Sequence, residues 1–269
     1  MSQMTGNGAS KERTLVSFDW AMKHLLRDKA NFDVLEGFLS TLLNEEIRVL
    51  SLLESEANQQ HELDKYNRVD LLTVDSNGQI LLIELQYNRL PSYLKRLLYG
   101  TSKLIVENIK VGDPFENVRK VISISILYFP ISHSDDDYLY HGKTEFVGLN
   151  NSKVLQVDMG RSPKAEKENL DSAKEEHAVI NSFPEYYLIE VGHFQNVIQQ
   201  PIDEWVYLFK NSQVLDNFHS KNIQTAKEKL TVMQMSEADR KAYEAFLLSR
   251  ASALDLMAGQ LQEGVEQGR

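Results

Sequence analysis

Asp70 and the tripeptide Glu84-Leu85-Gln86 flank Asp75-Ser76-Asn77-Gly78, a hairpin signal between two β-prone runs, 68–74 and 79–86. Side chains alternate faces along a strand, so the even-numbered Asp70, Glu84 and Gln86 run in phase with Leu72, Val74, Ile80 and Leu82. Register decides whether the acids meet. A three-residue loop over 76–78, with Gly78 taking a positive φ, sets Asp70 opposite Glu84 and Arg68 opposite Gln86, Cβ atoms about 4.5–5.5 Å apart. A two-residue loop sends the two carboxylates to opposite faces. Opposed like charges on a half-buried strand pair repel, and a hard divalent cation such as Mg2+ or Mn2+, which takes oxygen ligands, relieves the conflict. The carbonyl of Leu85 would add a ligand. The plainer alternative pairs Asp70 or Glu84 with Arg68 or Arg89 at the rim of the sheet. Glu84 weighs against it, because it follows Ile80-Leu81-Leu82-Ile83, where another core residue is expected.

The elements that must position this hairpin read as follows. Residues 1–14 are polar and resemble a disordered leader. Phe18, Met22, Leu25 and Leu26 line a short helix. Asn31 is placed to cap a second helix, in which Phe32, Leu35, Phe38, Leu39, Leu42 and Leu43 recur at helical spacing. Glu36 sits at the edge of that apolar face as a half-buried carboxylate. A strand is expected over 47–53. After the hairpin, Pro91 suits the first turn of a helix over 91–110, with Leu94, Leu97, Leu98, Leu104, Ile105 and Ile109 available for burial. Gly112-Asp113-Pro114 ends it, and the apolar run 121–129 reads as a strand buried on both faces. The order helix, three strands, helix, strand predicts an α/β (α+β) fold with a mixed central sheet and helices packed on it.

Further along, 132–140, with its run Asp135-Asp136-Asp137, reads as a solvated loop. Strands are expected at 144–149 and 186–191, a polar loop and helix at 158–176, and a helix over 201–211 with Trp205, Leu208 and Phe209 inward. Ser236 and Asp239 have capping-box spacing at the start of a long C-terminal helix. The expected division is a leader at 1–14, a core at 15–130, added strands and helices at 131–215 and a C-terminal helical region at 216–269.

Composition narrows the functional classes. Among 269 residues, 29 Lys and Arg stand against 39 Asp and Glu, a net charge of −10 that argues against coating nucleic acid by charge alone. No apolar run reaches the roughly 18–20 residues a membrane span needs, and no secretory h-region opens the chain, so no membrane partner and a cytoplasmic location are expected. The absence of cysteine excludes disulfides, thiolate metal sites and a thiol nucleophile. Locally the charge reverses: Arg89, Lys95, Arg96, Lys103 and Lys110 face one acid, Glu107, between 86 and 110. Four of the five recur every seven residues, beside Tyr93 and Tyr99. Such a strip can hold a phosphate backbone, or it is the solvated face of an amphipathic helix.

Asp70, the hairpin and Glu84-Leu85-Gln86 resemble the metal-binding signature of the PD-(D/E)xK nuclease superfamily, whose restriction-endonuclease-like core has this αβββαβ order. The chain is more closely similar to its recombination-promoting nuclease/transposase family, over about 15–260. That likeness rests on Phe18, Asp19 and Lys23, on the Leu-rich 35–43, on Tyr93, Arg96 and Tyr99, and on Ile189, Glu190, Phe194 and Trp205. The resemblance implies a Mg2+-dependent DNA endonuclease, with Mn2+ as a substitute, linked to recombination or transposition. Asp70 and Glu84 would hold the metal, Glu36 would be an extra ligand from the first core helix, and Gln86 would orient the attacking water. Gln86 departs from the Lys of most members and Val69 from the Pro before the Asp. An amide orients water only by hydrogen bonds and adds no charge. A nuclease-like module that binds DNA or protein with weak catalysis is therefore the alternative, and a homo-oligomer stays open. A carboxylate pair acting on a glycoside is a third reading without a sugar platform to support it.

Overall fold

The computed structural model of the chain describes residues 15–53, 71–87, 89–131, 137–155, 183–231, 235–249 and 251–252, without the side chain of Lys23. The expected leader, the segment 158–176 and Asp70 lie outside them. In chain order the elements are α1 (Phe18–His24), α2 (Phe32–Leu43), β1 (Val49–Leu53), β2 (Leu71–Asp75), β3 (Ile80–Gln86), α3 (Tyr93–Glu107), β4 (Val121–Leu127), β5 (Leu139–Gly142), β6 (Glu185–Glu190), α4 (Pro201–Asn211), α5 (Ile223–Lys229) and α6 (237–249). They form two compact units, Met1–Ile47 with Phe194–Arg269, and Arg48–His193.

The second unit is built on a six-stranded mixed sheet of order β1-β2-β3-β4-β6-β5. The first three strands meander antiparallel; β3, β4 and β6 run parallel; β5 returns antiparallel at the edge. The parallel step from β3 to β4 needs a crossover, and α3 supplies it. One face of α3 packs on the sheet. Leu104 joins Leu72, Val74, Ile80, Leu82 and Val121 in one apolar cluster, and Tyr93 and Leu97 join Leu127 and Phe129 in another. The helix therefore runs antiparallel to β3 and β4, its N-terminal end over their C-terminal ends.

The expected order of helix, three strands, helix and strand is present, with local corrections. Pro91 precedes α3 in a turn, and Ser92, with φ 66°, occupies its N-cap. Leu94 and Leu98 are 54% and 60% exposed, because the buried stripe is Tyr93, Leu97, Gly100, Thr101 and Leu104. They line an open cleft of about 350 Å³ with Leu97, Tyr140, Tyr186 and Leu188. Part of the expected loop 132–140 is the start of β5, held by pairing to β6. The expected strand at 144–149 has only the isolated bridge from Val147 to Val154, within a small exposed hairpin.

In the first unit, α2 packs on α4 and α5. Phe209 takes Phe18 at 4.3 Å between ring centroids and Phe38 edge-on at 5.1 Å. Trp205 and Phe38 are fully buried beside them. Asn31 stands at the N-cap of α2, but its amide donates to the Leu25 carbonyl (2.9 Å) instead of capping. Ser236 opens α6 as its spacing predicts, its Oγ accepting from the Asp239 N–H at 3.1 Å. Gly37 lets the 221–222 backbone approach α2: a Cβ there would lie 2.6 Å from the Lys221 carbonyl oxygen and 2.7 Å from the Asn222 Cβ.

Two predictions follow from these contacts. Gly37→Ala gains about 1 kcal/mol of helix propensity and loses about 1–3 kcal/mol to overpacking against backbone, so its urea midpoint falls; a raised midpoint shows that the 221–222 turn yields. At the start of β6, Glu185 bonds Lys120 at 2.6 Å and His141 at 2.9 Å. Burial pushes its carboxyl up, but the hydrogen bonds and charges of Lys120 and His141 outweigh burial and hold it below the ordinary range. A carboxyl lowered on folding adds stability above its unfolded-state value, and loses it as pH falls through the lower folded value. Glu185→Gln is then less stable than wild type at pH 7, and the gap in urea midpoint closes toward about pH 3. A gap of constant size over that range contradicts the assignment.

Candidate active site

The hairpin register originates in its loop. Asp75 ends β2 fully buried, yet its carboxylate is satisfied: Oδ1 accepts from the backbone N–H of Asn77 (2.9 Å) and Gln79 (2.8 Å), and Oδ2 from the Gln79 amide (3.0 Å). Gly78 takes φ 79° to close the three-residue turn. The described ladder has the register of that loop, Val74 opposite Ile80, Leu72 opposite Leu82 and Leu71 opposite Ile83. Glu84 therefore lies in phase with Leu82 and Ile80, on the side covered by α3, and is 2% exposed. Gln86 follows two residues on, half-buried.

The parallel ladder carries this face onto β4. Leu82 partners Ser123, Glu84 partners Ser125, and Gln86 partners Leu127. Leu104 of α3 covers the Leu82 end and Leu97 the Leu127 end, which leaves Glu84 and Ser125 beneath the part of α3 that holds buried Thr101. Thr101 donates back to the Leu97 carbonyl of its own helix (2.8 Å). Ser123 and Ser125 are fully buried, and neither hydroxyl has a hydrogen-bond partner among the described residues. The sequence reading missed both serines. The available signal was their period-two placement within an otherwise apolar strand, which marks one face as polar.

The other expected site residues lie on several elements. Leu85 points its side chain to the opposite face from Glu84, as alternation requires. Glu36 is half-buried on α2, in the first unit. The basic residues do not form one helical strip: Arg89 and Lys110 lie outside α3 and are exposed, as is Lys95 on it. Arg96 is half-buried, with its Nε fully covered. Lys103 reaches Glu107 at 3.7 Å. Of the remaining motif residues, Asp19 is buried on α1 and Tyr93 packs edge-on against Phe129 at 6.0 Å. Tyr99 is exposed. Glu190 is buried at the end of β6, accepting the Ile131 N–H at 3.2 Å and meeting His193 Nδ1 at 2.8 Å. Among the described residues no three His, Asp or Glu side chains gather as a metal site, and no helix is long and apolar enough to cross a membrane.

A meander of three strands, a helical crossover and a fourth strand parallel to the third make a restriction-endonuclease-like core of mixed α/β class. Residues 16–160 match the profile of the PD-(D/E)XK nuclease family transposases, more than half of the chain, and the chain belongs to that family. Its nucleases generally use divalent metals and act on DNA. Neither a curated protein nor a solved structure matches the chain.

Asp75→Ala removes three hydrogen bonds to a buried charge, and the expected loss is about 3 kcal/mol in urea unfolding, with a smaller loss for Asp75→Asn, which keeps one acceptor oxygen. Equal stability of Asp75→Ala and wild type contradicts the role given to this loop.

Proposed function

We propose that the chain is a divalent-metal-dependent DNA endonuclease in which Asp70 and Glu84 hold the cation, aided by the Leu85 carbonyl, and Gln86 orients the attacking water. The observation that carries this reading is the hairpin register. The ladder is described as far as Leu71 opposite Ile83, and one further step in the same register would set Asp70 opposite Glu84. The donor chemistry fits a hard cation: Glu84 is a buried carboxylate with the Ser125 hydroxyl in register beside it, and no thiol or imidazole stands on the described α3-facing strand positions. Mg2+ or Mn2+ bound there supplies charge that acidifies water and offsets the charge of the phosphodiester.

This chain's own residues do the rest. Burial under α3 keeps the Glu84 side chain out of bulk water. The Gln86 amide both donates and accepts, so it can hold water in line with the scissile phosphate without adding charge. Arg96, Lys95 and Arg89, at the α3 end over the C-terminal ends of β3 and β4, are the cations best placed for the flanking phosphates, with Lys103 and Lys110 further along. A second reading, a catalytically weak module that binds DNA or protein, is favoured by Gln86 in place of Lys and by the acidic net charge of −10.

Plasmid nicking in Mg2+ or Mn2+ separates the two. Asp70→Ala and Glu84→Ala are expected to lower the rate at least about a hundredfold, the upper end of what even outer-shell partners of a metal site cost. Equal nicking by wild type and both variants refutes the endonuclease reading. Salt-sensitive DNA binding that survives Glu84→Gln, without cleavage by wild type, supports the weaker module.

A further inference from the structure

We propose that Ser125 is a positioning residue: when a divalent cation is bound, its hydroxyl donates a hydrogen bond to the Glu84 carboxylate and fixes that ligand's orientation. The proposal rests on the reading of Glu84 as a metal ligand and extends it to a residue on a different strand.

Strand β4 reads Val121-Ile122-Ser123-Ile124-Ser125-Ile126-Leu127 and is buried along its whole length. Its face away from α3 is three isoleucines. Its α3-facing side has two serines where apolar residues would pack without leaving a polar atom to satisfy. Both hydroxyls are fully buried and have no partner among the described residues. They differ in what lies beside them. Ser123 partners the aliphatic Leu82, whereas Ser125 partners Glu84, the acidic side chain of the β3 ladder, one strand spacing of about 4.8 Å away on the same face. Thr101, in the helix above, is committed to its own backbone. A serine hydroxyl rotates between staggered positions and donates to a carboxylate as a charge-assisted bond. Carboxylates that ligate metals are themselves held by such outer partners, whose loss typically weakens metal binding 10–100-fold.

The test is a Mn2+ titration of the full chain followed by electron paramagnetic resonance, with cleavage measured across Mn2+ concentration. Ser125→Ala should weaken Mn2+ binding about tenfold. Ser125→Cys, which fills the same space with a weak donor, should weaken it similarly. Ser123→Ala should bind as wild type does. At saturating Mn2+ the Ser125→Ala rate should return close to wild type, which a purely structural defect would not allow. If Ser125→Ala fails to fold, Ser125→Cys carries the comparison alone. Wild-type affinity in the Ser125 variant, with binding lost in Glu84→Gln, overturns the role of Ser125 and leaves Glu84 as a ligand. Wild-type affinity in Glu84→Gln, or no binding by wild type, removes the reading of Glu84 and this proposal with it.

Discussion

The three-residue loop between β2 and β3 is the constraint on which the site depends. In most half-buried hairpins the hydrophobic pattern selects the register, because a one-residue slip exposes the core face. That selection is weak here. Leu71, Leu81, Ile83 and Leu85 are buried on one side of the sheet as completely as Leu72, Ile80 and Leu82 are on the other. A slipped β3 would still offer α3 a row of leucine and isoleucine. The choice passes to the loop, where Gly78 permits the left-handed turn and the Asp75 carboxylate binds the N–H groups of Asn77 and Gln79. A buried charge with these donors is stable in one loop length and poorly satisfied in another.

Once the register is set, the parallel pairing of β3 with β4 transmits it without further choice. Glu84 meets Ser125 and Gln86 meets Leu127, while α3 presses on this face through Leu104 at one end and Leu97 at the other. Between these clamps the core becomes polar, with a carboxylate and two hydroxyls in place of aliphatic side chains. Local rules favour valine or isoleucine at such positions. Departures of this kind concentrate at functional sites, where the compensating interaction is a ligand rather than a neighbour.

Much of the fold was legible in the sequence because its strongest signals are local. The Asn-Gly turn, the 3.6-residue spacing over 32–43 and the near-continuous apolar run from 121 each specify an element without reference to the others, and α4 was read to its observed ends. What was missed depends on tertiary partners. Leu94 and Leu98 have helical spacing suited to burial, yet which stripe of α3 faces inward is decided by where β4 and β6 lie. Strand β5 has little propensity of its own and exists as an edge paired to β6. Gly37 shows only as a weak helix former until the 221–222 backbone lies against it. Of the site, Glu84 stood out as an acid interrupting an apolar run; Ser123 and Ser125 did not, because their period-two placement gains meaning only once the strand they pair with places Glu84 beside one of them.

Replacing lysine by Gln86 shifts the electrostatic burden of the proposed chemistry. In the proposed site a lysine at 86 would offset part of the charge of the two acids, whereas glutamine would offset none of it, in a protein already at −10. Two consequences oppose each other. The stronger negative field raises affinity for a divalent cation, and it also repels the phosphodiester until that cation is in place. On the proposed reading, metal occupancy would gate nucleic-acid approach as well as the chemistry, and the cations of the α3 end, Arg96, Lys95 and Arg89, would carry the attraction that a lysine at 86 would have shared. In that balance the orientation of Glu84 matters more than in a lysine-bearing site, because a misdirected carboxylate leaves both its charge and its ligand position uncompensated.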